Sequence, residues 1–191
     1  ESVGVDTGDT VALYMPMVPA VIPILYGCFA VGAVAVPIFS GFGREATATR
    51  IADSEPSVLF TADGFYRRGS EVTLKGTADE AIREAGHVEH TVVYDRLGRE
   101  ATTDDPDDTQ IPWNERRDAW WAETVAVADD DYEPKSLPSD QECMLLYSSG
   151  TTGEPKGIVH THAGVLVQSA KEIHFGVDQT PGDRSFWASD V

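Results

Sequence analysis

Residues 147–157, YSSGTTGEPKG, gather the groups that could handle a polyphosphate. Gly150, Gly153 and Gly157 let the backbone bend freely enough to turn several N–H groups toward one anion. Ser148, Ser149, Thr151 and Thr152 add hydroxyl donors. Lys156 brings a point charge on a flexible stem, suited to an outer phosphate that moves during reaction, and Pro155 stiffens the approach to it. The P-loop pattern G-x-x-x-x-G-K-[ST] does not describe this segment. Counted from Gly150 the spacing holds, but Pro155 replaces the second glycine and Gly157 replaces the hydroxyl residue that would hold Mg2+. The segment also lies between two apparent strands, where a P-loop would open a helix. A flexible hairpin loop is the default reading of any short Gly/Ser/Thr run. The long ordered combination S-S-G-T-T-G-x-P-K-G after an apolar strand sets this one apart.

Other reactive side chains offer less. His160 and His162 alternate on an expected strand and share a face, which can begin a metal site, but no third ligand accompanies them. Strand packing is the better reading. His87 and His90 flank a turn and are expected to be exposed. Ser148 and Ser149 lack the G-x-S-x-G elbow of a serine nucleophile. Cys28 and Cys143 lie far apart in apolar runs and read as buried thiols of a cytoplasmic protein rather than a disulfide.

These groups need a scaffold, and the alternation of short apolar runs supplies one. Residues 11–40 carry no charge, long enough for a membrane span, but Pro16, Pro19, Pro23 and Pro37 interrupt them and both ends are rich in β-formers. A strand TVALYM, a helix from Pro19 to Val31 and a strand AVAVPIF fit better, as a βαβ-like unit covered on both faces. A helix over Glu45–Ser54, a strand SVLFT, a helix TADEAIREAG capped by Gly86 and a strand HTVVYD follow. The expected class is α/β, with partly parallel sheets flanked by helices. Residues 1–97 form the βαβ-like core. Residues 98–140 read as an acidic loop, a helix bearing Trp120 and Trp121, and a proline-punctuated linker. Residues 141–191 hold a strand ECMLLY, the phosphate loop, a strand IVHTH and a helix AGVLVQSAKEIHFG.

The chain has 191 residues, 41% of them hydrophobic, enough for a real core. Its formal charge is −18, with Lys75, Lys135, Lys156 and Lys171 as its lysines. Such a surface repels nucleic acid and anionic membranes, which bind clustered Lys and Arg. Sparse lysine with abundant Asp and Glu suggests a high-salt cytoplasm, where repulsion is screened. The runs DDPDD and DDD read as solvated acidic surface rather than metal sites. No secretory leader is seen. A start at Glu1 without methionine and a stop at Val191 suggest an excised segment of a longer protein.

The segment LLYSSGTTGEPKGIVHTH resembles the signature loop of the adenylate-forming enzymes: acyl-CoA synthetases, luciferases and peptide-synthetase adenylation domains. The run from Gly8 to Asp63 resembles the amino-terminal region of acetyl-CoA synthetases. LKGTADEA, VEHTVVYDR, WNERRDAWW and GDRSFWASDV have counterparts there too, so the likeness covers essentially the whole chain. It implies part of the large amino-terminal domain of these enzymes. It also implies a two-step ligase that uses MgATP to turn a small carboxylate into an acyl adenylate, then passes the acyl group to coenzyme A. By the same likeness Thr151, Thr152 and Lys156 hold the outer phosphates, while Ser148, Ser149, Gly150 and Gly153 shape the loop.

Acetyl-CoA synthetases also carry an R-x-x-R pair that meets the nucleotide end of coenzyme A. Arg67 falls on its first position, Ser70 on its second, and Arg68 stands next door as a substitute. Two solvated loop arginines are an equal reading. The adenine and ribose contacts, the acyl pocket, the carboxy-terminal domain and its adenylation lysine are expected beyond Val191. The segment alone is therefore expected to be inactive. An acyl-CoA ligase for acetate or another short acid is the first reading, and a truncated, non-catalytic nucleotide- or phosphate-binding relative the second.

Overall fold

Alternation along the first strand decides how the chain is layered. In a computed structural model describing residues 3–129, 131–148 and 155–186, the uncharged stretch forms strand β1 (Thr10–Leu13), helix α1 (Val21–Val31) and strand β2 (Val34–Pro37). Val11, Leu13 and Met15 point to the face that α1 covers with Val21, Ile24 and Cys28. Ala12 and Tyr14 point to the opposite face. Pro23 sits in the first turn of α1, where the missing N–H would have had no partner. Gly32, at φ 82°, ends the helix by donating to the Cys28 and Phe29 carbonyls.

Helix α2 (Arg44–Ser54), strand β3 (Val58–Ala62), helix α3 (Lys75–Ala85) and strand β6 (His90–Tyr94) follow the expected order. Ile51 of α2 and Ala78, Ala81 and Ile82 of α3 bury against the face carrying Ala12, Tyr14 and Leu59. Gly86 closes α3 at φ 80° with its N–H on the Ile82 carbonyl. Between β3 and α3 stands a hairpin, β4 (Gly64–Arg67) and β5 (Ser70–Thr73). Its two-residue turn, Arg68 at φ 52° and Gly69 at φ 84°, has the left-handed backbone that suits strand twist.

Residues 98–140 differ most from expectation. A small parallel pair, β7 (Glu100–Thr102) and β8 (Gln110–Pro112), brackets the acidic run DDPDD. The anticipated tryptophan-bearing helix is divided: Trp120 closes strand β9 (Asp118–Trp120), and Trp121 opens the short helix α4 (Trp121–Ala126). Pairing with β6 and burial of Asp118 outweigh the weak helical periodicity there. Trp121 still packs on the core, edge-to-face with Phe60 at 6.1 Å, while Trp120 stacks on Trp113 at 4.7 Å.

The last part holds β10 (Glu142–Ser148), β11 (Lys156–Thr161) and α5 (His162–Lys171), then one π turn at Glu172–Gly176 where a longer α-helix was expected. The main sheet has the order β11-β10-β2-β1-β3-β6-β9. Its strands run parallel except β11, which is antiparallel to β10. Helix α1 lies on one face and α2 and α3 on the other. Cys28 and Cys143 are buried free thiols, and burial pushes Cys28 up to about 12. No helix among the described residues is long and apolar enough to cross a membrane.

Candidate phosphate-binding site

The β10–β11 ladder pairs Leu145 with Val159, Leu146 with Ile158, Tyr147 with Gly157, and finally Ser148 with Lys156. Ser148 and Lys156 therefore face one another as the last register pair, both exposed, with residues 149–155 between them in sequence. Because β10 runs parallel to β2, this pair lies at the carboxyl edge of the sheet. In open α/β sheets that edge is where ligands bind. Ser149, Gly150, Thr151, Thr152 and Gly153 lie outside the described residues.

Several packed groups hold the end of β10 in place. The Tyr147 hydroxyl donates to Oδ2 of Asp53 on α2 at 2.6 Å. Buried Arg50 lies over the Phe42 ring at 4.2 Å and the Tyr147 ring at 5.5 Å, and donates to the Ala46 carbonyl at 2.6 Å. Burial, and next the Asp53 carboxylate, push Tyr147 above the ordinary phenol range. Its hydroxyl therefore stays a proton donor at neutral pH.

Arg67 ends β4, and its Cα register partner across the hairpin is Ser70. The two positions of the expected R-x-x-R pair are thus side by side. β3 runs parallel to β1 and so, through β2, to β10, and the hairpin leaves the sheet at the same carboxyl edge as Ser148. The Arg67 guanidinium lies 5.5 Å from the Phe39 ring centre, just beyond β2, while Arg68 occupies the turn. A Cβ on Gly41 would come 2.5 Å from Nη1 of Arg67, so the guanidinium packs close over this glycine.

The hairpin is rooted by Asp63, which is fully buried. Its Oδ1 accepts from the Gly64 and Arg96 N–H groups, both at 2.8 Å, and its Oδ2 from Leu97 at 2.8 Å and Arg99 at 3.3 Å. Four backbone donors on one carboxylate fix the segment from β3 into β4 against the turn after β6.

A second buried charge cluster joins α3 to β9. Lys75, fully buried at the start of α3, contacts Asp79 and Asp118, each at 2.7 Å, and donates to the Pro112 carbonyl at 3.0 Å. Arg117 contacts Asp79 and Asp118. Two cations and two carboxylates balance. Burial pushes Asp118 upward, but the hydrogen bond from Arg117 and the charge of Lys75 outweigh it and hold the carboxyl low. Burial dominates at Asp79, which is raised. Nothing in the sequence around a lysine announces that it is buried, and although Asp79 lies four residues on, its second carboxylate partner, Asp118, lies some forty residues on.

The histidines do not share a strand face as expected. His160 is on β11, but His162 begins α5, its ring edge-to-face with Phe29 at 5.6 Å. His87 and His90 are exposed. Among the described residues no group of three or more His, Cys, Asp or Glu could hold a metal ion. A groove of about 460 Å³ between α1 and α4 is walled mainly by apolar side chains, including Val5, Ile24, Phe60 and Val125, and offers no cationic side chain for a phosphate.

The family model described as "AMP-binding enzyme" matches residues 1–191. An acetyl-coenzyme A synthetase of Streptomyces coelicolor is 41% identical over 187 residues, covering 97% of this chain and 27% of that protein. One of Cronobacter sakazakii is 40% identical over 192 residues, covering all of this chain and 28% of its own length. Among solved structures, the acetoacetyl-CoA synthetase from Streptomyces lividans superposes with a TM-score of 0.82 at 34% identity, over 99% of this chain and 27% of that one. The chain thus spans little more than a quarter of the length of these relatives.

Proposed function

Because the chain belongs to the AMP-binding enzyme family, we propose that it forms part of an AMP-forming acyl-CoA synthetase and contributes the outer-phosphate clamp of that enzyme. The observation that carries this reading is the unbroken run SSGTTGEPKG set between two antiparallel strands, with Ser148 and Lys156 as facing partners at the carboxyl edge of the sheet.

In the first half-reaction a carboxylate oxygen attacks the α-phosphorus of ATP. The P–O bond to the acyl group forms, the bond to the bridging oxygen breaks, and pyrophosphate leaves with that electron pair. Mg2+ arrives with the nucleotide as part of the substrate. Lys156 meets charge on the departing pyrophosphate, while Thr151 and Thr152 donate to its oxygens and Ser148, Ser149, Gly150 and Gly153 shape the loop. Preplaced donors of this kind supply most of the stabilisation of phosphoryl-type transition states. In the second half-reaction the coenzyme A sulfur attacks the acyl carbon and AMP leaves. Arg67 reaches the nucleotide end of coenzyme A, with Arg68 beside it. The segments 1–97, 98–140 and 141–191 serve as core, bracing segment and clamp of one amino-terminal domain.

The relatives' names favour a short acid such as acetate or acetoacetate. The enzyme works in a cytoplasm of high salt, consistent with a charge of −18 and four lysines, and has no nucleic-acid partner. The experiment is to supply the complete natural protein with MgATP, coenzyme A and acetate, propionate, acetoacetate or octanoate in turn. AMP, pyrophosphate and the thioester of a short acid are expected in equal amounts. Release of ADP, or nucleotide binding without turnover on any acid, would overturn the assignment, the latter in favour of a non-catalytic relative.

A further inference from the structure

Tyr147 directly precedes the phosphate loop and touches both helix α2 and the outgoing strand β11. Its hydroxyl reaches Asp53 on α2 at 2.6 Å, and its ring faces the Arg50 guanidinium. In the ladder it stands opposite Gly157, the residue after Lys156. A Cβ on Gly157 would lie at ordinary contact distance, 3.5 Å, from Cε1 of Tyr147 and only 2.9 Å from Cδ1 of Leu145, so the ring packs beside the outgoing stem. The partners are themselves fixed. Arg50 is held by the Ala46 carbonyl and the Phe42 ring, and the Phe42 carbonyl accepts from the buried Tyr14 hydroxyl at 2.5 Å.

We propose that Tyr147 and Asp53 are positioning residues for Lys156, a clasp that ties both stems of the phosphate loop to α2 and so sets the lysine on the outer phosphates of a nucleoside triphosphate. The inference rests on the phosphate-binding reading of the loop. A flexible ammonium stem gains little from its charge unless its backbone is held in register with the ligand. Packing alone would be served by phenylalanine. A hydroxyl donating to a carboxylate adds a directional, charge-assisted tether at the point where the ladder ends.

The test uses the complete natural protein and carboxylate-dependent ATP–pyrophosphate exchange, with melting temperature recorded for every variant. Tyr147→Phe keeps the ring and removes the tether. It is expected to raise KM for MgATP and for pyrophosphate about fivefold, the worth of one such hydrogen bond, with KM for the carboxylate unchanged and a near-native melting temperature. Asp53→Ala should have the same effect, and the double variant should be no worse than either single one, because both remove one interaction. A Tyr147→Phe enzyme with wild-type KM for both phosphate substrates, or losses that multiply in the double variant, would overturn the clasp. Lys156→Ala separates the two levels. If it weakens pyrophosphate while Tyr147→Phe does not, the clasp alone fails. If it leaves pyrophosphate unaffected, the phosphate reading falls and the clasp with it.

Discussion

Ser148 and Lys156 are direct partners across the last rung of the β10–β11 ladder. Residues 149–155 join these two positions in sequence, and the pair itself lies at the carboxyl edge of a parallel sheet. The donors of that segment come from local sequence, while the placement of its two ends comes from α2, β2 and the strands beyond.

Asp63 accepts four backbone N–H groups with its two oxygens. Asparagine would turn an NH2 group against two of those donors whichever way it was placed. Asp63→Asn should destabilise the protein by about 2–4 kcal/mol, the cost of stranding buried donors once beside a charged acceptor. A shift in the denaturant midpoint without a change of slope would measure it.

Lys75→Met should cost about 3–5 kcal/mol, because it leaves two buried carboxylates facing Arg117 alone. The pH dependence has a definite sign. Asp118 titrates below its unfolded value, so its contribution is complete above about pH 4 and is lost as pH falls through the depressed native value. Asp118→Asn should therefore be less stable than wild type at neutral pH and lose less on acidification. Parallel melting curves between neutrality and strong acid would decide this.

How much of this was legible follows from how local each signal is. The order β1, α1, β2, α2, β3, α3, β6 is written in apolar alternation and in caps such as Gly32 and Gly86, which act within a few residues. The hairpin β4–β5 was missed, although Arg68-Gly69 is a turn signal, because charged and polar residues dominate its exposed strands. Strand β9 was hidden because its three residues owe their conformation to pairing with β6 and to the buried Lys75 cluster. The composition of the phosphate loop was plain. The Tyr147–Asp53 contact was not, since ninety-four positions separate the two residues.

Salt should stabilise a chain carrying −18. At about 1 M salt the screening length falls to about 3 Å, so repulsion among surface carboxylates largely disappears. The melting temperature should rise by several degrees between dilute buffer and molar KCl. A flat or falling curve would remove the high-salt assignment.

Arg67→Ala should raise KM for coenzyme A at least about tenfold, as expected for a lost charge-assisted contact, with KM for MgATP unchanged. Arg68→Ala should do less, because Arg68 occupies the turn at φ 52° and its neighbour carries the contact to Phe39. If coenzyme A saturation is unaltered when both are replaced, neither residue belongs to that site.

The most direct measurement is the KM for pyrophosphate in carboxylate-dependent exchange, compared between the complete natural protein and its Lys156→Ala variant. Loss of one preplaced cation from the outer-phosphate clamp should raise it by at least about tenfold, with carboxylate saturation little changed. Equal pyrophosphate saturation in the two proteins, or no exchange by the wild type with any acid, would contradict the assignment of this loop.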